Sequence, residues 1–216
     1  MSTSHRPVQI LVVCSANECR SVYAVDELRS VGFDDRFNLL SAGTQANPGA
    51  PRCSEAEHHA GHAQLHTSRV LEKEVIAQAD LILVMDREHR ARVAEIEPKA
   101  RFRCFTLREI ARLAELLNSA IKREDFAASA EFVALLPANW KQLSTTRRMQ
   151  WWIDELNEAR GFSDPLADDI ADAHGVDAVD HKVVFALISE SISQFAAHTL
   201  GAINLNFERQ LVAGGR

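Results

Sequence analysis

The feature that most constrains this chain is the stretch at residues 8–21, where an apolar run ends abruptly in a small, polar loop. Ile10 to Val13 are all aliphatic, which is typical of a parallel strand that is buried on both faces. Cys14 follows at once, and a helical pattern begins near Val22. A strand, a tight loop and a helix in this order predict that several loop N–H groups converge at the positive end of the helix dipole. Such a place binds anions.

Two side chains at the ends of this loop indicate a chemistry. Cys14 opens the loop and Arg20 closes it, with five residues between them. A guanidinium binds phosphate oxygens through two parallel hydrogen bonds, and positive surroundings lower the pKa of a thiol so that it ionises. We expect a thiolate that attacks a phosphoryl group and gives a cysteinyl-phosphate intermediate. A buried structural cysteine followed by an ordinary helix cap is the competing interpretation.

The loop resembles the signature of the low-molecular-weight protein tyrosine phosphatase family, which reads Cys, five residues, Arg, then Ser or Thr. Its position directly after the first strand is also similar. The resemblance implies Cys14 as the nucleophile and Arg20 as the phosphate ligand. The phosphate-binding loop that it implies comprises Ser15, Ala16, Asn17, Glu18, Cys19, Arg20 and Ser21.

Further segments resemble this family beyond the loop, so that the resemblance covers residues 8–110 and 168–200. In the family a serine and a histidine hold the loop asparagine in place, which maps onto Ser41, His66 and Asn17. Asparagine tolerates the left-handed region of backbone conformation, so we expect Asn17 to adopt it with this support.

A proton donor is needed when an aryl phosphate is cleaved, and a carboxylic acid on a separate loop can supply the proton. Asp164 stands in an Asp-Pro pair, as the family's acid does. From Asp169 onward, however, the order of residues up to Gly175 follows the family's wider pattern, with Ala173 where a proline is usual. The resemblance therefore favours Asp172 over Asp164. A solvated acidic loop is the competing interpretation of all these carboxylates.

The sequence departs from the family at several positions of the predicted site. Ala16 replaces a glycine and is acceptable only if its φ angle is negative. Glu18 replaces an apolar residue and places a carboxylate near the pocket mouth, where it could favour a basic flank on a peptide. Ala173 leaves the acid loop less rigid than a proline would. His174 takes the place of an aromatic residue, so the substrate preference stays open.

Strand and helix patterns alternate along the chain, which predicts an α/β fold. The resemblance implies three layers, with a four-stranded parallel sheet in the order 2-1-3-4 and helices on both faces. We predict a single phosphatase-like domain over residues 1–216, with a helical insertion at 119–163. Strands are expected near 37–41, 81–85 and 102–105, and a last helix at 179–199.

Composition excludes several classes of function. The net charge of −6 does not favour a nucleic-acid partner. No signal peptide or segment approaching a membrane span is predicted, and four scattered cysteines do not form a disulfide scaffold. We read Cys53 and Cys104 as core or bystander residues and expect a reducing cytoplasm. No cofactor and no metal site is predicted, because the four-residue spacing of three histidines lacks further ligands. Those histidines are His58, His62 and His66.

The favoured function is a phosphatase that hydrolyses phosphotyrosine or other aryl phosphate monoesters. Its partner would be a phosphorylated protein or a small aryl phosphate, with neither nucleic acid nor membrane, and both a monomer and a homodimer stay open. One alternative is an arsenate reductase, in which Cys53 or Cys104 would relay electrons. Another is a phosphate-pocket binding protein with little or no turnover, which Ala16, Glu18 and Ala173 suggest.

Overall fold

The central sheet has four parallel strands, and the predicted order 2-1-3-4 is confirmed. The strands are β1 (Val8–Cys14), β2 (Phe37–Gly43), β3 (Leu81–Val84) and β4 (Cys104–Thr106). They are seen in a computed structural model that describes residues 6–33, 35–59, 66–122, 137, 139–162, 168–174 and 178–203. β1 pairs with β2 on one side and with β3 on the other. On passing from β2 to β3, the chain therefore crosses from one side of β1 to the other.

Helices cover both faces of the sheet, as expected for an α/β fold. They are α1 (Arg20–Ser30), α2 (Ser54–His59), α3 (Lys73–Gln78), α4 (Arg87–Ile96), α5 (Leu107–Lys122), α6 (Thr145–Glu158) and α7 (His181–Ile203). The fourth strand begins at Cys104, two residues later than predicted. The reason is a 3₁₀ helix at Pro98–Arg103, because proline fits a first helical turn and the Glu97 side chain accepts from Lys99 N.

Side chains of β1 alternate between two apolar clusters, one on each face of the sheet. Val8, Ile10 and Val12 point into the larger cluster, which is formed with α1, α5, α6 and α7. Leu11 and Val13 point into the smaller cluster, which is formed with α3 and α4. Because both faces of β1 are buried, its aliphatic run carries no polar residue between Ile10 and Val13.

The segment predicted as an insertion contributes α6 to the larger cluster. Trp152 is fully buried there, and its Nε1 donates to Thr199 Oγ1 at 3.0 Å. Trp151 packs against Trp140 with ring centroids 5.0 Å apart. Arg148 is also buried, because it lies on the same side of α6 as Trp152. Residues 123–136 and 138 lie outside the described residues, and the limits 119–163 stay a prediction.

The last helix, α7, packs against α1, α5 and α6. Residues His181–Gly201 are long and apolar enough to cross a membrane by length and composition, so the expectation that no segment approaches a span is wrong by that measure. However, 44% of the most apolar stretch is buried against the rest of the chain. A helix in the core of a domain can have the same length and apolar composition, so it passes the same test.

At the carboxyl end of β1 the order of the strands reverses, because β2 lies on one side of β1 and β3, which the chain reaches after β2, lies on the other. In open parallel sheets, ligands bind in the crevice that forms at such a switch point. Cys14 is the last residue of β1, and α1 begins at Arg20. The fold therefore places the predicted phosphate-binding loop in this crevice.

Candidate active site

The predicted nucleophile lies at the base of the loop with two donors beside its sulfur. Cys14 Sγ is 3.3 Å from the backbone N of Asn17 and 3.0 Å from Ser21 Oγ. Asn17 Nδ2 donates to Ser21 Oγ at 3.0 Å, which leaves the hydroxyl hydrogen of Ser21 for the sulfur. A thiolate at this position would therefore accept two hydrogen bonds.

Asn17 adopts the left-handed conformation that the sequence predicts, with a φ of 59°. Its carbonyl oxygen accepts from His66 Nε2 at 2.7 Å and from Ser68 Oγ at 2.8 Å, and its side-chain oxygen accepts from Arg69 N at 3.0 Å. Burial lowers the pKa of His66, so the neutral ring donates from Nε2. These bonds offset the strain of a non-glycine residue at positive φ.

The predicted role of Ser41 in this support is wrong. Ser41 lines a surface depression together with His66, but among the described residues no hydrogen bond joins Ser41 to Asn17. Ser68 fills that role, because the chain returns past the loop just after His66. The φ angle of Ala16 is not positive, which is the condition under which alanine is acceptable there. Among the described non-glycine residues, Asn17 alone has a positive φ.

Gly43, at the end of β2, lies directly under the phosphate-binding loop. A Cβ on this residue would be 2.5 Å from Ser15 O and 2.8 Å from Asn17 N, both of them backbone atoms. The residues after it are bound to the loop as well, because Thr44 N donates to Cys14 O and Gln45 N donates to Ser15 O, each at 2.9 Å. Only glycine allows the two backbones to approach this closely.

Arg20 is the buried cation of the site, with 3% of its side chain exposed. Its Nη2 donates to Ser15 Oγ at 3.0 Å and forms an ion pair with Asp172 Oδ2. Its Nη1 donates to Ile170 O at 3.0 Å and lies 3.7 Å from Asp86 Oδ2. The guanidinium is thus held beside the loop by partners on both of its terminal nitrogens.

Asp172, the acid that the resemblance favours, lies at the loop in an ion pair with Arg20. The segment that carries it is attached to the end of β3, because Ile170 N donates to Met85 O at 2.8 Å. Asp172 is also tied to its own segment, since its Oδ1 accepts from His174 N at 3.0 Å. With 39% of its side chain exposed, it is accessible from the pocket mouth. Asp164, the competing candidate, lies outside the described residues.

The other acidic residues of this segment have separate partners. Asp168 is buried and paired with Arg112. Asp169 forms an ion pair with Arg87 at 2.9 Å, and hydrogen bonds from Arg87 hold the pKa of Asp169 below its usual value. The interpretation of a solvated acidic loop therefore fails for Asp168, which is buried, whereas Asp169 is exposed and lies in a surface ion pair.

Asp86 and His89 also border the site, although the sequence analysis assigned no role to either. Asp86 caps α4 by accepting from His89 N at 2.8 Å, and His89 Nε2 lies 3.0 Å from Ser15 Oγ. Burial opposes the charge on Asp86, but bonds from His89 and the charge of Arg20 outweigh it and lower the Asp86 pKa. The sequence signal for Asp86 and His89 was their position, because both lie within five residues of the carboxyl end of β3.

The remaining cysteines occupy two different environments. Cys53, read from sequence as a bystander, lies beside Cys19, and its backbone N donates to Glu18 O at 2.7 Å. A hydrogen bond between the two thiols raises the pKa of Cys19 and lowers that of Cys53. Cys104 lies in the smaller cluster on the other face of the sheet, and burial raises its pKa to about 12.

Comparisons with known proteins agree with this geometry. A family model described as low molecular weight phosphotyrosine protein phosphatase matches residues 9–122. The chain is 33% identical over 107 residues to a protein-arginine-phosphatase of Bacillus subtilis, a match that covers 47% of this chain and 71% of the relative. It is 33% identical over 97 residues to the low molecular weight protein-tyrosine-phosphatase Wzb of Salmonella typhi, covering 43% of this chain and 64% of that protein.

Among solved structures, the fold is similar to that of a YwlE arginine phosphatase mutant that carries a phosphorylated active-site serine. The TM-score is 0.57 at 21% identity, over 94% of this chain and 99% of the other. At this identity the likeness shows the fold alone.

Proposed function

Because this chain belongs to the low molecular weight phosphotyrosine protein phosphatase family and is a phosphatase by that membership, we propose that it works through a cysteinyl-phosphate intermediate on Cys14. The observation that carries the proposal is the convergence of Cys14 Sγ, the Arg20 guanidinium and Asp172 at one loop. We further propose phosphorylated proteins or small aryl phosphates as substrates.

In the first step the substrate phosphate enters as its monoanion, displaces the Asp172 carboxylate from Arg20 and passes its proton to that carboxylate. The phosphate then accepts hydrogen bonds from the loop N–H groups. Cys14 Sγ attacks phosphorus, the P–S bond forms and the P–O bond to the leaving group breaks. Arg20 and the loop amides stabilise the charge on the three equatorial oxygens. Asp172 donates a proton to the leaving oxygen, which departs as the neutral alcohol.

In the second step a water molecule attacks phosphorus, and the Asp172 carboxylate accepts its proton. The P–S bond breaks, inorganic phosphate is released, and the sulfur returns as a thiolate. The hydrogen bonds from Ser21 and from Asn17 N stabilise that thiolate, which makes it a better leaving group. No metal or cofactor takes part in either step.

A second substrate class, phosphoarginine in proteins, is favoured by one observation. Glu18 places a partly exposed carboxylate in the phosphate-binding loop. A carboxylate attracts a guanidinium and gains nothing from a phenol ring. Two of the similar proteins are also named protein-arginine-phosphatase. In this case the proton from Asp172 would go to the guanidine nitrogen.

The experiment that tests the proposal measures hydrolysis of p-nitrophenyl phosphate and of phosphoarginine by the wild-type enzyme in the presence of a metal chelator. We expect turnover of at least one of them, and acid-quenched samples should contain phosphocysteine at Cys14 by mass spectrometry. Glu18→Gln should lower kcat/KM for phosphoarginine by about 10-fold and leave p-nitrophenyl phosphate within about twofold. Turnover without phosphocysteine would contradict the covalent mechanism.

Asp172→Asn should lower kcat by about 10²- to 10³-fold, because the leaving oxygen loses its proton donor. The loss should be larger for phenyl phosphate than for p-nitrophenyl phosphate, since nitrophenolate leaves more readily without a proton. Asp169→Asn, three residues away in a surface ion pair, is the control and should stay within about twofold. If Asp164→Asn shows the larger loss and the leaving-group dependence, the acid is Asp164.

A further inference from the structure

Two cysteines and two histidines that are remote in sequence meet at the mouth of the phosphate site. One side chain comes from the phosphate-binding loop, one from the segment before α2, one from the acid segment and one from the first residue of α7. One ligand-type atom from each residue, thiol sulfur or ring nitrogen, lies within 4.8 Å of all the others. The four residues are Cys19, Cys53, His174 and His181.

The two imidazole rings face one another with their nitrogens inward. His174 Nε2 and His181 Nε2 are 3.0 Å apart, with ring centroids separated by 4.6 Å at an angle of 78°. Between two neutral rings, one Nε2–H can donate to the Nε2 lone pair of the other ring along this line. The same inward orientation is what a shared cation requires of two histidine ligands.

The sulfur side of the cluster is anchored by the backbone. Cys53 N donates to Glu18 O at 2.7 Å, so Cys53 is bound to the residue that precedes Cys19. On the histidine side, Val179 N donates to Asp172 O at 3.0 Å, which brings the acid segment to the start of α7. These two bonds join the four segments in pairs, and the ion pair between Arg20 and Asp172 joins the loop to the acid segment.

We propose that a single zinc ion binds at the mouth of the phosphate site through two thiolates and two imidazoles, those of Cys19, Cys53, His174 and His181. Two sulfur and two nitrogen ligands in a tetrahedron are typical of structural zinc. Bond lengths of about 2.3 Å to sulfur and about 2.0 Å to nitrogen require ligand atoms roughly 3.3–3.8 Å apart. The four ligand atoms, which lie within 4.8 Å of one another, would reach that arrangement with shifts of about 1 Å.

Binding replaces the thiol protons, so the protein releases a proton from each cysteine that is protonated beforehand. The ion would connect the phosphate-binding loop to the acid segment, because Cys19 precedes Arg20 and His174 follows Asp172 by two residues. It would thereby restrict the motion of Asp172 relative to Arg20. This consequence for catalysis rests on the proposed function, whereas metal binding itself does not.

The test is a Co²⁺ titration of the reduced full-length protein, followed by displacement with Zn²⁺. We expect one equivalent of Co²⁺ to give a thiolate-to-metal charge-transfer band and the intense visible bands of a tetrahedral site. Cys53→Ser and His181→Ala should each weaken Co²⁺ binding by at least about 100-fold, since loss of a ligand exceeds the effect of an outer-shell change. Cys104→Ser and His58→Ala, outside the cluster, are the matched controls and should bind as the wild type does.

Cys14→Ser separates this site from the catalytic sulfur and should keep the band. A band that is lost in Cys14→Ser, is unchanged in both cluster variants, or is absent from the wild type would overturn the proposal. Thermal melting of the metal-free variants checks that they fold. If Cys53→Ser does not fold, His181→Ala alone provides the test of ligand loss. Phosphatase activity in chelator is measured separately, so failure of the zinc site leaves the proposed mechanism standing.

Amide hydrogen exchange gives a second measurement of the connection between the loops. Zinc should slow exchange across residues 168–174 in the wild type and leave it unchanged in His181→Ala. Equal exchange with and without zinc in the wild type would contradict the connection.

Discussion

Replacing Cys14 with serine is expected to lower kcat for p-nitrophenyl phosphate by about 10⁴-fold or more while phosphate still binds. An alcohol is a far weaker nucleophile than a thiolate, and hydroxyl-based esters of phosphate do not break down as readily as the P–S bond. The loop amides and Arg20 are unchanged by the substitution. Binding of inorganic phosphate, measured by calorimetry or by ³¹P line broadening, should therefore stay within about threefold of the wild type.

Cys104→Ser is the matched control for this experiment, because it changes a buried cysteine on the opposite face of the sheet. It should keep the wild-type rate. If Cys14→Ser retains substantial turnover, the nucleophile is another group and the catalytic account is wrong. If both hydrolysis and phosphate binding are lost, the variant has disturbed the loop, and the melting temperature will show it.

Gly43→Ala is expected to lower kcat/KM by about 10²-fold although residue 43 contacts no substrate. The new Cβ would stand 2.5 Å from Ser15 O, and both groups belong to backbone, so the loop must move. A displacement of about 1 Å in a reacting group can cost about 10²-fold in rate. Overpacking should also destabilise the fold by about 1–3 kcal/mol, which urea unfolding measures.

Gly161→Ala is the control for this prediction, because no atom of the residues that the structure describes lies within 4 Å of a Cβ at that position. It should change the free energy of unfolding by less than about 0.5 kcal/mol and leave the rate unaltered. A wild-type rate in Gly43→Ala would show that the loop accommodates the methyl group, contrary to the close approach seen between the two backbones.

The cysteines illustrate how the competing functions are separated. An arsenate reductase would require Cys53 or Cys104 to relay electrons. Cys104 is buried across the sheet from the loop, which makes it unsuited to that role. Cys53 lies beside Cys19 instead, where the structure places two histidines as well. That grouping favours metal binding over a relay.

The strand order 2-1-3-4 was implied by the family resemblance, whereas the sequence by itself determined the fold class and the loop at residues 14–21. These features are local or nearly so, because an aliphatic strand, a Cys-to-Arg spacing and a left-handed asparagine are each encoded within a few residues. Even the choice of Asp172 followed from the order of residues up to Gly175, and the structure brings that side chain to Arg20.

Only the tertiary structure decided which distant groups meet at the loop. Ser68 supports Asn17 where Ser41 was expected, because the return of the chain after residue 66 sets that contact. The Cys19 and His181 side chains come together although 162 positions separate them in the numbering of the chain. Pairings of this kind depend on how helices pack across the sheet, and no periodicity along the chain records that packing.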